Sequence, residues 1–187
     1  MNRQINATLK IQHKGISLII VLVLLVVTGL TAAAAMRGAI SSQRVTNNVR
    51  MDNIAQQYAE AALRYCESQL QLTDANRVNS LKDAVVPAVN IAGGASAAWE
   101  NPISWTGAVG AGAAASTRTV LPASQYSSSL SSYAPTKAPE CVAELQTLGS
   151  PTYTETVVTA RGFSTDYKAD SNGNTTHGSV VWLQSIF

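Results

Sequence analysis

Few side chains in this chain of 187 residues are equipped for chemistry. There are two cysteines, Cys66 and Cys141, and two histidines, of which only His177 lies beyond residue 15. No G-x-S-x-G or phosphate-cradling glycine pattern occurs, so neither an activated serine nor a nucleotide loop is indicated. One histidine with two cysteines makes a poor zinc set. His177 reads as a solvated turn residue at a strand edge, and Glu140, Glu144, Glu155, Asp166 and Asp170 as an ordinary solvated face. The one ion-binding hint is DSNGNT, where Asp170, Asn172 and Asn174 alternate as the first calcium ligands of an EF-hand loop do. Thr175 then stands where that loop needs glycine and Val181 where it needs glutamate, so a hairpin turn explains the same residues with fewer assumptions. No cofactor and no catalytic residue is expected.

What positions these groups begins at the N-terminus. No formal charge falls between Lys14 and Arg37, leaving residues 15 to 36, 22 in all, as an uncharged apolar run. About 20 residues cross a bilayer core. Arg3, Lys10 and Lys14 precede the run with no acid among them, which keeps the first residues in the cytoplasm and sends the remainder outward. Three readings fit: a secretory signal cut near Ala32 to Ala35, an uncleaved single-pass anchor, or a short leader cut after Gly15 that leaves the apolar stretch in the product. Secretory h-regions run to about 15 residues, shorter than this one.

The helical pattern continues past Arg37. No proline occurs up to Leu72, and Met51, Ile54, Ala55, Tyr58, Ala59, Ala62, Leu63, Cys66 and Leu70 return at helical spacing. One helix from Ile16 to about Leu72 is expected, apolar all round at first and amphipathic from residue 37, with Thr73, Asp74 and Asn76 as terminators. Residues 73–187 suffice for one modest domain. Its Ala-, Gly- and Ser-rich stretch 91–132 reads as long loops pinned to a core by Trp99 and Trp105, exposed adhesive aromatics being the lesser alternative. Strand patterns follow at Cys141–Leu148, Tyr153–Phe163 and Ser179–Phe187, with Asn172-Gly173 as a hairpin signal between the last two. An α+β architecture results, a long helix packed on an antiparallel sheet.

Both cysteines fall outside the apolar run. In an oxidising periplasm an isolated pair usually forms a disulfide, and Cys66–Cys141 would staple the helix to the sheet; two buried thiols are the alternative. The whole chain carries 13 Lys and Arg against 11 Asp and Glu, and without residues 1–15 the balance is 10 against 11. Such neutrality gives no electrostatic case for nucleic acid.

The run GISLIIVLVLLVVTGLTAAAAMRG, with Gln43-Arg44, Asn48-Val49-Arg50 and Ala59-Glu60-Ala61-Ala62-Leu63, resembles the N-terminal domain of the PilX family of type IV pilus assembly proteins, which are minor pilins. ECVAELQTLG, VVTARGFS and GSVVWLQSIF resemble that family's last strands. The resemblance implies a leader of residues 1–15 removed by the prepilin peptidase, with cleavage between Gly15 and Ile16 and N-methylation of Ile16. It implies a transmembrane and polymerisation helix over 16–36, presenting Leu18, Ile19, Ile20, Leu22 and Leu25, an amphipathic continuation over 37–72, and a periplasmic head over 73–187. The partners implied are other minor pilins, the major pilin, the inner-membrane assembly platform and a tip adhesin. The place is the inner membrane first and the extracellular pilus afterwards.

Most pilins carry glutamate where Ile20 stands, at the fifth position after the cut. That carboxylate is held to neutralise a neighbour's free amine inside the apolar filament core, where an unpaired charge is costly. Its absence fits a subunit at the tip, or simply an anchor that prefers isoleucine. Thr28-Gly29-Leu30-Thr31 is a weak helical stretch, a region that stretches in pilins and is also ordinary in membrane helices. A type II secretion pseudopilin, or a single-pass periplasmic protein of another function, remains open on the same residues.

Overall fold

The structure, a computed structural model, describes residues 16–106, 117–126, 134–149, 151–170 and 173–187. The chain divides into two units, 1–46 and 47–187. Gly15, with the rest of the expected leader, and Asn172 lie outside the described residues.

The helix α1 spans Ile16–Leu70 without interruption. In the first unit it passes through Gly29 intact. Thr28 donates its hydroxyl to Leu24 O at 2.8 Å and Thr31 to Thr28 O at 2.9 Å, so the polar side chains of the weak stretch bond to the helix's own carbonyls, as a polar group in an apolar setting must. In the second unit α1 ends at Leu70, two residues short of the expected Leu72. The cause is an arginine rather than the expected terminators alone: Arg77 donates from Nη2 to Leu70 O (3.0 Å) and from Nε to Leu72 O (2.9 Å). Its Nη1 also pairs with Asp83 Oδ1 at 2.6 Å. A cation that satisfies orphan carbonyls at a helix C-terminus also complements the helix dipole.

After α1 come β1 (Ala88–Asn90), the short helix α2 (Ile103–Thr106), β2 (Thr119–Val120) and α3 (Ala123–Tyr126). The main strands follow: β3 (Glu140–Leu148), β4 (Tyr153–Phe163) and, after the two-stranded ribbon β5 (Lys168–Ala169) and β6 (Thr175–His177), β7 (Val180–Ile186). The sheet order is β1-β3-β4-β7, with β2 also on β3. The expected helix-on-sheet α+β architecture is therefore present, and the three long strands pair antiparallel at Cys141↔Ala160 and Ala160↔Leu183. The sheet is mixed rather than wholly antiparallel, because β1 runs parallel to the end of β3 (Val89↔Gln146). A three-residue segment arriving from the far end of α1 reaches β3 in that direction without a hairpin.

Register sorts the sheet into two faces. Cys141, Ala143, Val158 and Ala160 face α1 and form the core with Ala62, Cys66, Leu70 and Leu81. The buried stripe of α1 is Ala55, Ala59, Ala62, Cys66 and Leu70, the spacing that the sequence pattern predicts. The opposite face carries Glu140, Val142 and Glu144 on β3 and Val157, Thr159 and Arg161 on β4, all nearly inaccessible. A segment from the Ala-rich middle covers them: Trp105 is buried and its indole donates to Trp99 O at 2.7 Å. The two tryptophans thus pin this segment to the core as the sequence suggested, and the sheet is covered on both faces.

Candidate functional site

The first unit holds the longest apolar surface of the described chain. Every described side chain from Ser17 to Arg50 is exposed. The exposures are 70% at Leu18, 64% at Ile19, 53% at Ile20, 58% at Leu22 and 68% at Leu25. A lone helix apolar on all sides must lie in lipid or among other helices. By length and composition this helix is long and apolar enough to cross a membrane, which fits a single-pass anchor.

The second unit holds what a helix-borne head needs to keep its shape. Cys66 on α1 and Cys141 on β3 are joined by a disulfide, Cα–Cα 6.6 Å and 75 residues apart in sequence. Closing such a loop stabilises by roughly 4 kcal/mol in the chain-entropy model. We therefore expect the Cys66→Ala, Cys141→Ala double variant to lose about 4 kcal/mol in a denaturant titration; an unchanged midpoint would show the staple to be idle. Nearby, Ser185 on β7 donates to Glu67 Oε1 at 2.7 Å, a second tie between helix and sheet.

Glycine fixes the closeness of that packing. Gly162 on β4 has no side chain because α1 occupies the space. A Cβ there would stand 2.8 Å from Tyr58 C, and closer still to Ala55 O and Ala59 N. The alanines of the stripe bring the helix backbone down, and Gly162 lets the sheet meet it.

On the outer face the carboxylates correct the sequence reading. Glu140 and Glu144 do not lie on a solvated face; each is 1% exposed. Glu144 accepts from the Ala98 amide and from Gln146 Nε2 (3.0 Å), tying the covering segment to the sheet. Glu140 accepts from Arg161 through Nε and Nη2, from Arg118 Nη1 at 3.2 Å and from Lys137 Nζ at 3.0 Å. Arg161 in turn lies 4.3 Å from the Trp105 ring centre, 5.2 Å from Trp182 and 5.4 Å from Phe163, and Lys137 lies over Phe163 at 4.6 Å. Burial pushes the Arg161 guanidinium and the Lys137 amine below their ordinary values, and Glu140 pulls both back up. Three cations about one carboxylate, roofed by aromatic rings, hold three strands and the covering segment in one register. Sequence spacing hides this group, since its members are contributed by separate strands and loops; the only available signal is that Arg161 interrupts an apolar strand.

His177 is not a turn residue: it lies in β6, exposed, with Nε2 3.2 Å from Asp166 Oδ2. Asp166 also accepts from Ser164 Oγ at 2.6 Å. The serine thus bonds the carboxylate and not the imidazole, so no base is placed to activate it. Asp170 accepts from Asn174 N at 2.8 Å and from Asn174 Nδ2 at 3.1 Å, an Asx-type turn closed by Gly173 at φ 86°. The Asp170–Asn174 turn joins the extra ribbon β5–β6, not β4 to β7 directly. Among the described residues no group of three His, Cys, Asp or Glu side chains could hold a metal ion.

Residues 14–64 match the PilX N-terminal family, the segment that holds the membrane-length run and most of the amphipathic helix. This agrees with the resemblance carried by Ala-Met-Arg-Gly and Ala59-Glu60-Ala61-Ala62-Leu63, and is consistent with a type IV pilus minor pilin. No curated protein and no solved structure matches the chain.

Proposed function

With a PilX N-terminal domain over residues 14–64 as the premise, we propose that the chain is a minor pilin that helps initiate type IV pilus assembly at or near the pilus tip. The observation that supports this best is the fully exposed, uncharged start of α1. Before assembly it is solvated by lipid, with the head in the periplasm. Afterwards the helices of the major pilin and of other minor pilins take the place of lipid, and small residues such as Ala32 to Ala35 let backbones approach. Cleavage after Gly15 by the prepilin peptidase and methylation of Ile16 release the helix for that exchange. Ile20 supports a place at the tip: without a carboxylate this subunit needs no amine from a subunit ahead of it. The head then meets the inner-membrane platform during assembly and a tip adhesin afterwards. Pilins of this family are structural proteins, and we read the role as association rather than catalysis.

A type II secretion pseudopilin is the second reading, favoured by the same isoleucine. Deletion of the gene separates the two. Loss of surface pili and twitching with secretion intact supports the pilus role; intact pili with blocked protein secretion reverses it.

A further inference from the structure

The outer face of the sheet ends in a hollow of about 210 Å³ lined by Trp99, Thr159, Trp182, Leu183 and Gln184. Trp182 is 43% exposed although it sits at the rim of the buried Glu140–Arg161 cluster. Its ring is 6.4 Å from that of Trp99, at 57°, and 5.0 Å from Trp105, which is edge-on and buried behind it. The register sets Trp182 opposite Arg161 and Gln184 opposite Thr159, and Gln184 Nε2 donates to Thr159 Oγ1 at 2.9 Å. Gln184 Oε1 and the indole N–H groups of Trp99 and Trp182 have no partner among the described residues. Because β7 is the last strand of its sheet, the hollow opens at an edge that a chain-like ligand can run past.

We infer that this hollow binds one ring of a neutral, hydroxylated ligand, a sugar residue of an oligosaccharide. Two aromatic faces offer flat apolar contact to the C–H side of such a ring, and two donors and an acceptor suit hydroxyls, which both give and take hydrogen bonds. Charge complementarity decides against the alternatives. No charged side chain lines the hollow, so an ionic ligand would lose hydration without a counter-charge. A quaternary ammonium, the usual guest of aromatic cages, would meet a Trp182 ring that already faces the Arg161 guanidinium at 5.2 Å. The hollow is also smaller than the usual range for drug-sized ligands, about 300–1,000 Å³, and suits a single ring. The inference stands independently of the pilus reading, since any anchored protein with this head would carry the hollow.

The test uses the full chain in phospholipid nanodiscs, free of glycoside detergents. Saturation-transfer NMR is run with neutral β-linked oligosaccharides of glucose, galactose and N-acetylglucosamine, and separately with tetramethylammonium. Saturable binding of at least one oligosaccharide, with Kd near or below about 1 mM, is expected. Gln184→Ala, which also takes the donor from Thr159 Oγ1, should lower the melting temperature by no more than a few degrees and weaken that binding by about fivefold or more. Trp182→Phe, which keeps an aromatic ring and removes the N–H, should weaken it as well. Absence of saturable binding across the oligosaccharides, binding unaffected in both variants, or binding of tetramethylammonium alone would overturn the inference.

Discussion

Replacing Gly162 by alanine should cost the second unit about 4 kcal/mol or more, at the far end of single-substitution effects. The added methyl would meet Ala55 O, Ala59 N and Tyr58 C, all backbone atoms of α1. A side chain in the way can turn aside; a helix backbone has to move bodily. Moving it draws Ala55, Ala59, Ala62 and Cys66 off the sheet together, because they lie on one stripe. Overpacking commonly costs 1–3 kcal/mol where side chains can yield, and here they are not what blocks. Gly29→Ala and Gly38→Ala are the controls, since nothing lies within 4 Å of a Cβ at either. Each should be neutral or favour the helix by up to about 1 kcal/mol. Thermal melting followed by near-ultraviolet circular dichroism distinguishes the three, and a Gly162→Ala protein that melts like the parent would refute the close helix–sheet approach.

Glu140→Gln should come next, at about 3–5 kcal/mol, the usual cost of removing one partner from a buried charge group. Glutamine fills the same volume, so the loss reports charge and not a cavity. Arg161 is 10% exposed as a side chain and would keep its charge among Trp105, Phe163 and Trp182 with no carboxylate beside it. Adding Arg161→Leu to Glu140→Gln should recover part of the loss, because an apolar replacement removes the stranded charge. Glu155→Gln, at a half-buried site on the same strand pair, should change stability by no more than about 0.5 kcal/mol. Equal effects at Glu140 and Glu155 would mean that the buried cluster contributes nothing.

These two sites mark where sequence reading succeeds and where it stops. The long helix was legible because its pattern is local: an uncharged run, then apolar residues at a 3.6 period, both properties of neighbours in the chain. The three long strands were legible for the same reason, from Val and Thr runs bounded by Pro, Gly and Asn. Glu140 was misread because burial is a property of what covers a strand. Its cover is Trp99 and Trp105, about 40 residues earlier, in a stretch whose alanines and serines carry no period. Gly162 carried no signal either, since a glycine in a strand marks close approach without naming the neighbour. The parallel β1 was missed because three residues are too few to establish alternation. The Cys66–Cys141 pairing could be named because only two cysteines exist, a matter of count and not of geometry.

The exposed helix and the pinned head divide the work. Leu18 to Leu25 offer apolar surface on every side, which suits a segment that exchanges lipid for protein. Residues 47–187 are locked by a disulfide, a glycine contact and a buried ion cluster, which suits a unit that keeps its shape.

The N-terminus of the protein recovered from membranes and from sheared pili tests that division most directly. Mass spectrometry should find the chain beginning at Ile16, with the mass of one added methyl group, in both fractions. A chain that still begins at Met1, or one cut after Ala34 or Ala35, would contradict it: the first keeps the basic leader on the helix, and the second removes the helix that is meant to polymerise.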